Sequence, residues 1–150
     1  MKAYKNPSFP DAGAQEIWNF AQGSIWGTTP LGRGTTYHFN SPIAATYVCI
    51  NFMKIIHSVA SKPVTLHIMV DDVCDVIVNG FVLQNIQNVY LEGDKPRSVS
   101  FTLKPGDNII KLQATILAGP AGLLATIIAD ATGEVLAHTD TSWYWSTTCT

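Results

Sequence analysis

Val76-Ile77-Val78-Asn79-Gly80-Phe81-Val82-Leu83 is the stretch that decides the fold. Asparagine followed by glycine between two apolar runs is the strongest short hairpin signal, because both residues accept the positive φ of a type I′ turn. The flanking runs are rich in β-branched residues and too short for helices. The spacing predicts two antiparallel strands joined at Asn79-Gly80.

The same period-2 pattern extends in both directions. Val64, Leu66, Ile68 and Val70 share one strand face, with Thr65, His67 and Met69 on the other. Before them, Val48, Ile50 and Phe52 alternate with Tyr47, Cys49 and Asn51. After the hairpin, Val99, Phe101 and Leu103 alternate up to Lys104-Pro105-Gly106-Asp107. That segment is a turn, since proline presets φ and glycine tolerates the position after it. Ile110, Leu112 and Ala114 resume on one face, and Ala118-Gly119-Pro120-Ala121-Gly122 interrupts as a tight crossover loop. Residues 123–129 are a continuous apolar run, as expected of a strand buried on both sides. Thr132-Gly133-Glu134 then turns the chain into residues 135–137. Short strands punctuated by turns, with weak helical periodicity, predict an all-β antiparallel β-sandwich.

No repeat, linker or low-complexity segment divides the chain. Residues 1–150 are read as one domain, with 1–24 as an N-terminal extension or arm. Trp18, Phe20, Ile25, Trp26, Tyr37 and Phe39 are expected to pack onto the sandwich, and Arg33, flanked by Gly32 and Gly34, marks an exposed turn.

Hydrophobic residues make up 47% of the chain and charged residues 13%, against about a quarter charged in ordinary soluble domains. So apolar a chain offsets its ordering entropy and folds. Its outer surface must be largely uncharged and polar, which suits burial against neighbouring subunits or wet contact with sugars. The formal net charge is -2, and the basic residues Lys54, Lys62, Lys95, Arg97, Lys104 and Lys111 are scattered singly. No basic stripe exists for phosphate backbones, so nucleic acid is not an expected partner. No run is long and apolar enough to insert into a membrane, and the opening MKAYKNPSFPDAG has no secretory core. Synthesis in a cytosol is expected, with a virion or cell surface as the destination after assembly. The three cysteines, Cys49, Cys74 and Cys149, form no CxxC pair and are expected to be buried or incidental thiols.

Several motifs, taken in order, resemble a galactose-binding-domain-like jelly roll. They are Ser24-Ile25-Trp26, Val70-Asp71-Asp72, Val76-Ile77-Val78-Asn79-Gly80, Leu103-Lys104-Pro105-Gly106-Asp107-Asn108, Gly119-Pro120-Ala121-Gly122-Leu123-Leu124-Ala125 and Thr139-Asp140-Thr141-Ser142-Trp143. The architecture is similar to the accessory domains of α-L-rhamnosidase-type glycosidases and to viral or phage surface modules. The resemblance implies a sandwich with an accessory role, and the chain holds no large catalytic domain of such an enzyme.

Candidate site residues follow from side-chain chemistry. Trp143-Tyr144-Trp145 is the densest aromatic stretch. In a strand, Trp143 and Trp145 share a face and Tyr144 takes the other, so at least one ring is offered to a sugar or a protein, or else the paired indoles cap the core. Arg33 and Asp72 complete the candidate ligand-binding set. Asp71, Asp72 and Asp75 are the densest carboxylates; calcium is the alternative cofactor there, against a strand-end turn of ordinary aspartates. Alternation sets His138, Asp140 and Ser142 in a row on one strand face, but a row is not a relay and no GxSxG elbow exists. No catalytic residue is assigned.

Two functions are therefore expected. The first is a non-catalytic structural or assembly module, such as a virion or surface-lattice component, with other protein subunits as partners in a homo-oligomer or larger assembly. The second is a carbohydrate-binding module that recognises glycans through exposed aromatics.

Overall fold

A computed structural model describes residues 9–11, 13–14, 49–71, 73–87, 96–115, 122–140 and 142–146. Among them nine strands form: β1 (Cys49–Ser58), β2 (Lys62–Asp71), β3 (Val73–Val78), β4 (Phe81–Gln87), β5 (Arg97–Leu103), β6 (Gly106–Thr115), β7 (Gly122–Ala129), β8 (Val135–His138) and β9 (Tyr144–Ser146). A five-stranded sheet in the order β4-β3-β6-β1-β9 faces a four-stranded sheet in the order β5-β2-β7-β8, and every pairing is antiparallel.

Alternation explains the layers. Phe52, Val76, Ile110 and Leu112 of one sheet meet Val64, Leu66, Ile68, Leu103 and Ile127 of the other in one core. Burying each such side chain contributes roughly 1.5–3 kcal/mol. The hairpin forms as its sequence predicts, with φ of 51° at Asn79 and 86° at Gly80. Gly106 has φ of 96° after Pro105, which is the residue preference of the turn it makes.

Strand β1 runs on to Ser58, well past Phe52, where the sequence period breaks. The cause is Lys54, which shares the inward parity of Phe52 and Ile56. Its ammonium donates to the Ser142 hydroxyl instead of ending in the core. The continuous apolar run of β7 also has a local cause. Residues 9–11 and 13–14 lie over the outer face of the second sheet, where Ala14 and Phe9 cover Met69 and Leu124, and Asp11 reaches Thr126 and His138.

Two expectations are corrected. Strand β8 stops at His138, so His138, Asp140 and Ser142 do not form a row on one strand. Asp140 instead accepts the Ser142 amide at 2.8 Å and shapes the turn into β9. Cys49 is not a thiol but disulfide-bonded. Cys74 is a free thiol in the core, and burial pushes its ionisation far up, which leaves it inert. With three cysteines in the chain, non-reducing digestion is expected to link the Cys49 peptide to the Cys149 peptide. Reduction is expected to cost about 2–4 kcal/mol of stability. A Cys49 peptide that alkylates freely without reductant would contradict this.

Trp18, Phe20, Ile25, Trp26, Arg33, Tyr37, Phe39, Tyr47, Val48, Asp72 and the loop around Gly119-Pro120 lie outside the described residues.

Candidate functional site

The two sheets are not sealed along the side where edge strands β4 and β5 meet. Phe81 opens β4 directly opposite Val78, on the inward side of its strand, yet its ring is 73% exposed. A β-bulge between Val76 and Ile77 shifts the register beside Leu83, and bulges of this kind re-aim edge side chains. Across the opening, Phe101 occupies the inward face of β5 opposite Val64 and packs partly on the core. Between them lies a groove of about 440 Å³, lined by Val78, Asn79, Phe81, Leu83, Phe101, Thr102 and Lys104. That volume falls within the range of small-molecule sites, roughly 300–1,000 Å³.

Buried Asn108 fixes both ends of this groove. Its Oδ1 accepts from Asn79 Nδ2 and from the Lys104 amide, each at 3.0 Å. Its Nδ2 is shared among the carbonyls of Ile56, Lys104 and Gly106 at 3.0–3.2 Å. Asn79 Oδ1 in turn accepts the Ile109 amide at 2.8 Å. The β3–β4 turn and the β5–β6 turn are thereby tied together, and the positions of Asn79 and Lys104 on the rim are set by one amide. In the sequence the two turns are separate signals. Contact between them depends on strand order, which the local pattern does not encode.

A second polar cluster is built around Asp11. Asp11 Oδ2 contacts His138 Nδ1 at 2.7 Å and accepts the Thr126 hydroxyl at 3.0 Å, while Oδ1 accepts the Gly13 amide at 2.9 Å. On its other side, His138 Nε2 is 3.7 Å from Asp140 Oδ2. The Ser142 hydroxyl bonds to Asp140 and receives Lys54, not His138. The three residues of the imagined triad are thus brought together in the wrong order, since a nucleophile needs the imidazole on its own hydroxyl. Gly13 packs closely here: a Cβ would sit 3.1 Å from His138 Cε1, a tight contact to which the ring would have to yield.

Burial alone would raise the Asp11 carboxyl, but the His138 contact, the Gly13 amide and the Thr126 hydroxyl outweigh it and hold the group below its ordinary 3.8. A carboxyl depressed by folding stabilises the folded state above its unfolded pKa, and that contribution fades as pH falls through the folded value. The segment around Asp11 is therefore expected to stay docked at neutral pH and to loosen below 3.8. Hydrogen exchange across an acid titration checks this; an Asp11 carboxyl that titrates above its ordinary value would overturn it.

Trp143 is 3% exposed, packs in the core and donates Nε1–H to the His138 carbonyl at 2.8 Å. Its ring is a core side chain, not a surface on which a ligand stacks. Tyr144 faces outward at 64% exposure on β9, opposite Met53. The side chains of Trp145 and Asp71, and the whole of Arg33 and Asp72, lie outside the description. Asp75 sits in mid-strand on β3, not in a turn, and accepts Asn85 Nδ2 at 2.7 Å. Among the described residues no cluster of three or more histidine, cysteine or acidic side chains is arranged to hold a metal ion.

No family model matches the chain, and no curated protein matches it. Solved structures do. The lectin of Pleurotus ostreatus in complex with GalNAc superposes with a TM-score of 0.58 at 27% identity, over 85% of this chain and 40% of that one. The fold is galactose-binding-domain-like. A rhamnosidase of Bacillus sp. GL1 matches this galactose-binding-like sandwich with a TM-score of 0.54 at 27% identity, over 67% of this chain and 12% of its own. The α-L-rhamnosidase of Streptomyces avermitilis complexed with L-rhamnose shares the fold, with a TM-score of 0.60 at 21% identity, over 69% of this chain and 11% of its own. The chain thus spans about an eighth of the rhamnosidases or less, and 40% of the lectin.

Proposed function

We propose that this galactose-binding-like sandwich is a non-catalytic carbohydrate-binding module and that the groove between β4 and β5 is its saccharide site. The observation that carries the reading is the pair of rings, Phe81 and Phe101, flanking a groove that Lys104 also lines. A pyranose has an apolar C–H face that stacks on aromatic rings, and hydroxyls that bond to polar groups around them. Lys104 supplies such a group at the rim, whereas Thr102, next to inward Phe101 on β5, lies on the exposed parity of its strand. The likeness to a lectin solved with GalNAc supports the same reading.

A glycan array with the whole chain tests it, with Phe81→Ala as the control. The wild type is expected to bind a defined set of glycans, and the variant to lose about tenfold or more, since aromatic anchors dominate such contacts. A silent array, or equal binding by the variant, would count against the groove. Phe81 is exposed, so its removal leaves the core intact.

Assembly remains the second reading on one specific observation. Edge strand β4 reads FVLQNIQ without a charge, and Phe81, Val82 and Leu83 are 73%, 63% and 41% exposed. Uncharged apolar edges invite pairing. Light scattering that shows a defined multimer, dispersed by Val82→Lys, would support partner subunits over a glycan at this edge. The disulfide at Cys49 suits an oxidising location such as a virion or cell surface.

A further inference from the structure

The polar groups on the groove rim differ in what they have left to offer. Asn79 spends its amide oxygen on the Ile109 amide and its amide nitrogen on Asn108, so it serves the wall more than a ligand. Lys104 remains, since Thr102 lies on the exposed parity of β5. Lys104 is exposed, and among the described residues it makes no ion pair. No carboxylate appears among the described residues lining the groove. The nearest acid in sequence, Asp107, faces His57 at 2.9 Å.

The position of Lys104 is also fixed. Its amide donates to Asn108 Oδ1, and its carbonyl accepts from Asn108 Nδ2, both at 3.0 Å. Clamping both backbone groups of one residue holds its Cα at the mouth of the groove, and only the flexible stem still moves. The result, among the described residues, is an aromatic-flanked groove with a lysine held by its backbone and no carboxylate. A neutral sugar presents hydroxyl donors that need acceptors, and carboxylate side chains commonly supply them. Among the described lining residues the chemistry is the other way round, with a lysine and no carboxylate.

We propose that the saccharide preferred by this groove is anionic, a pyranose carrying a carboxylate or sulfate that meets Lys104 while its apolar face packs between Phe81 and Phe101. The proposal rests on the carbohydrate reading of the groove and narrows it to a substrate class. Lysine acts as a point charge without a fixed fork, so the geometry favours negative charge without choosing between the two anions.

Isothermal titration of the whole chain with galactose, galacturonic acid and galactose 6-sulfate separates the possibilities. At least one acidic sugar is expected to bind about fivefold more tightly than galactose, the scale of a partly screened charge contact. The advantage of the acidic sugars over galactose is expected to shrink in high salt and to vanish in Lys104→Gln. Lys104→Gln keeps the backbone clamp and alters only an exposed side chain, so the fold is retained. Phe81→Ala is expected to weaken every sugar that binds. Galactose binding as tightly as both acidic sugars would overturn the anionic preference and leave the saccharide site standing. If none of the three binds, the saccharide reading falls, and this proposal with it.

Discussion

Asn108→Ala is expected to destabilise the domain by about 3–5 kcal/mol, one of the largest losses available to a single substitution here. Asn108 is fully buried, and its side chain serves Asn79, the Lys104 amide and the carbonyls of Ile56, Lys104 and Gly106. Alanine leaves all five of these groups short of a partner. Each stranded buried group costs about 1–3 kcal/mol. The total falls short of the sum, because turn groups near the surface recruit water. Asn108→Asp is not a rescue: it keeps Oδ1 but sets a second oxygen against three carbonyls. Urea melts of both variants measure the effect, and a loss below about 1 kcal/mol would mean that the two turns hold without this amide.

Trp143→Ala is expected to cost about 3–5 kcal/mol, the usual toll for emptying a large aromatic site. The indole is 3% exposed, and its Nε1–H satisfies the His138 carbonyl at the end of β8. Its removal opens a cavity and strands that carbonyl together. Tyr144→Ala, one residue on, is expected to change stability by only about 0.5 kcal/mol, because its ring is 64% exposed. Thermal melts of the pair give the comparison. Similar losses for both would contradict the assignment of Trp143 to the core and Tyr144 to the surface.

The same pair shows what was legible in the sequence. Alternation put Trp143 and Tyr144 on opposite faces, and Asn79-Gly80 and Pro105-Gly106 announced their turns, because these signals are local. Which ring faced inward was not local: it depends on β9 pairing with β1 rather than with its sequence neighbour β8. Strand β1 looked shorter than it is because Lys54 breaks the apolar period at an inward position, and its escape toward Ser142 belongs to the tertiary structure. The groove was harder still. Phe101 reads as an ordinary core residue, and only its place on an edge strand opens it beside Phe81. Lys104 and Asn108 read as parts of a turn, and their link to Asn79 joins segments 29 residues apart.

The central claim is that a saccharide occupies the groove between β4 and β5. Amide chemical shifts of the nitrogen-labelled chain, titrated with galactose and with galacturonic acid, test it most directly. Saturable shifts centred on residues 78–83 and 101–104 are the expected result. Shifts centred instead on the Asp140–Tyr144 turn, or no shifts with either sugar, would contradict it.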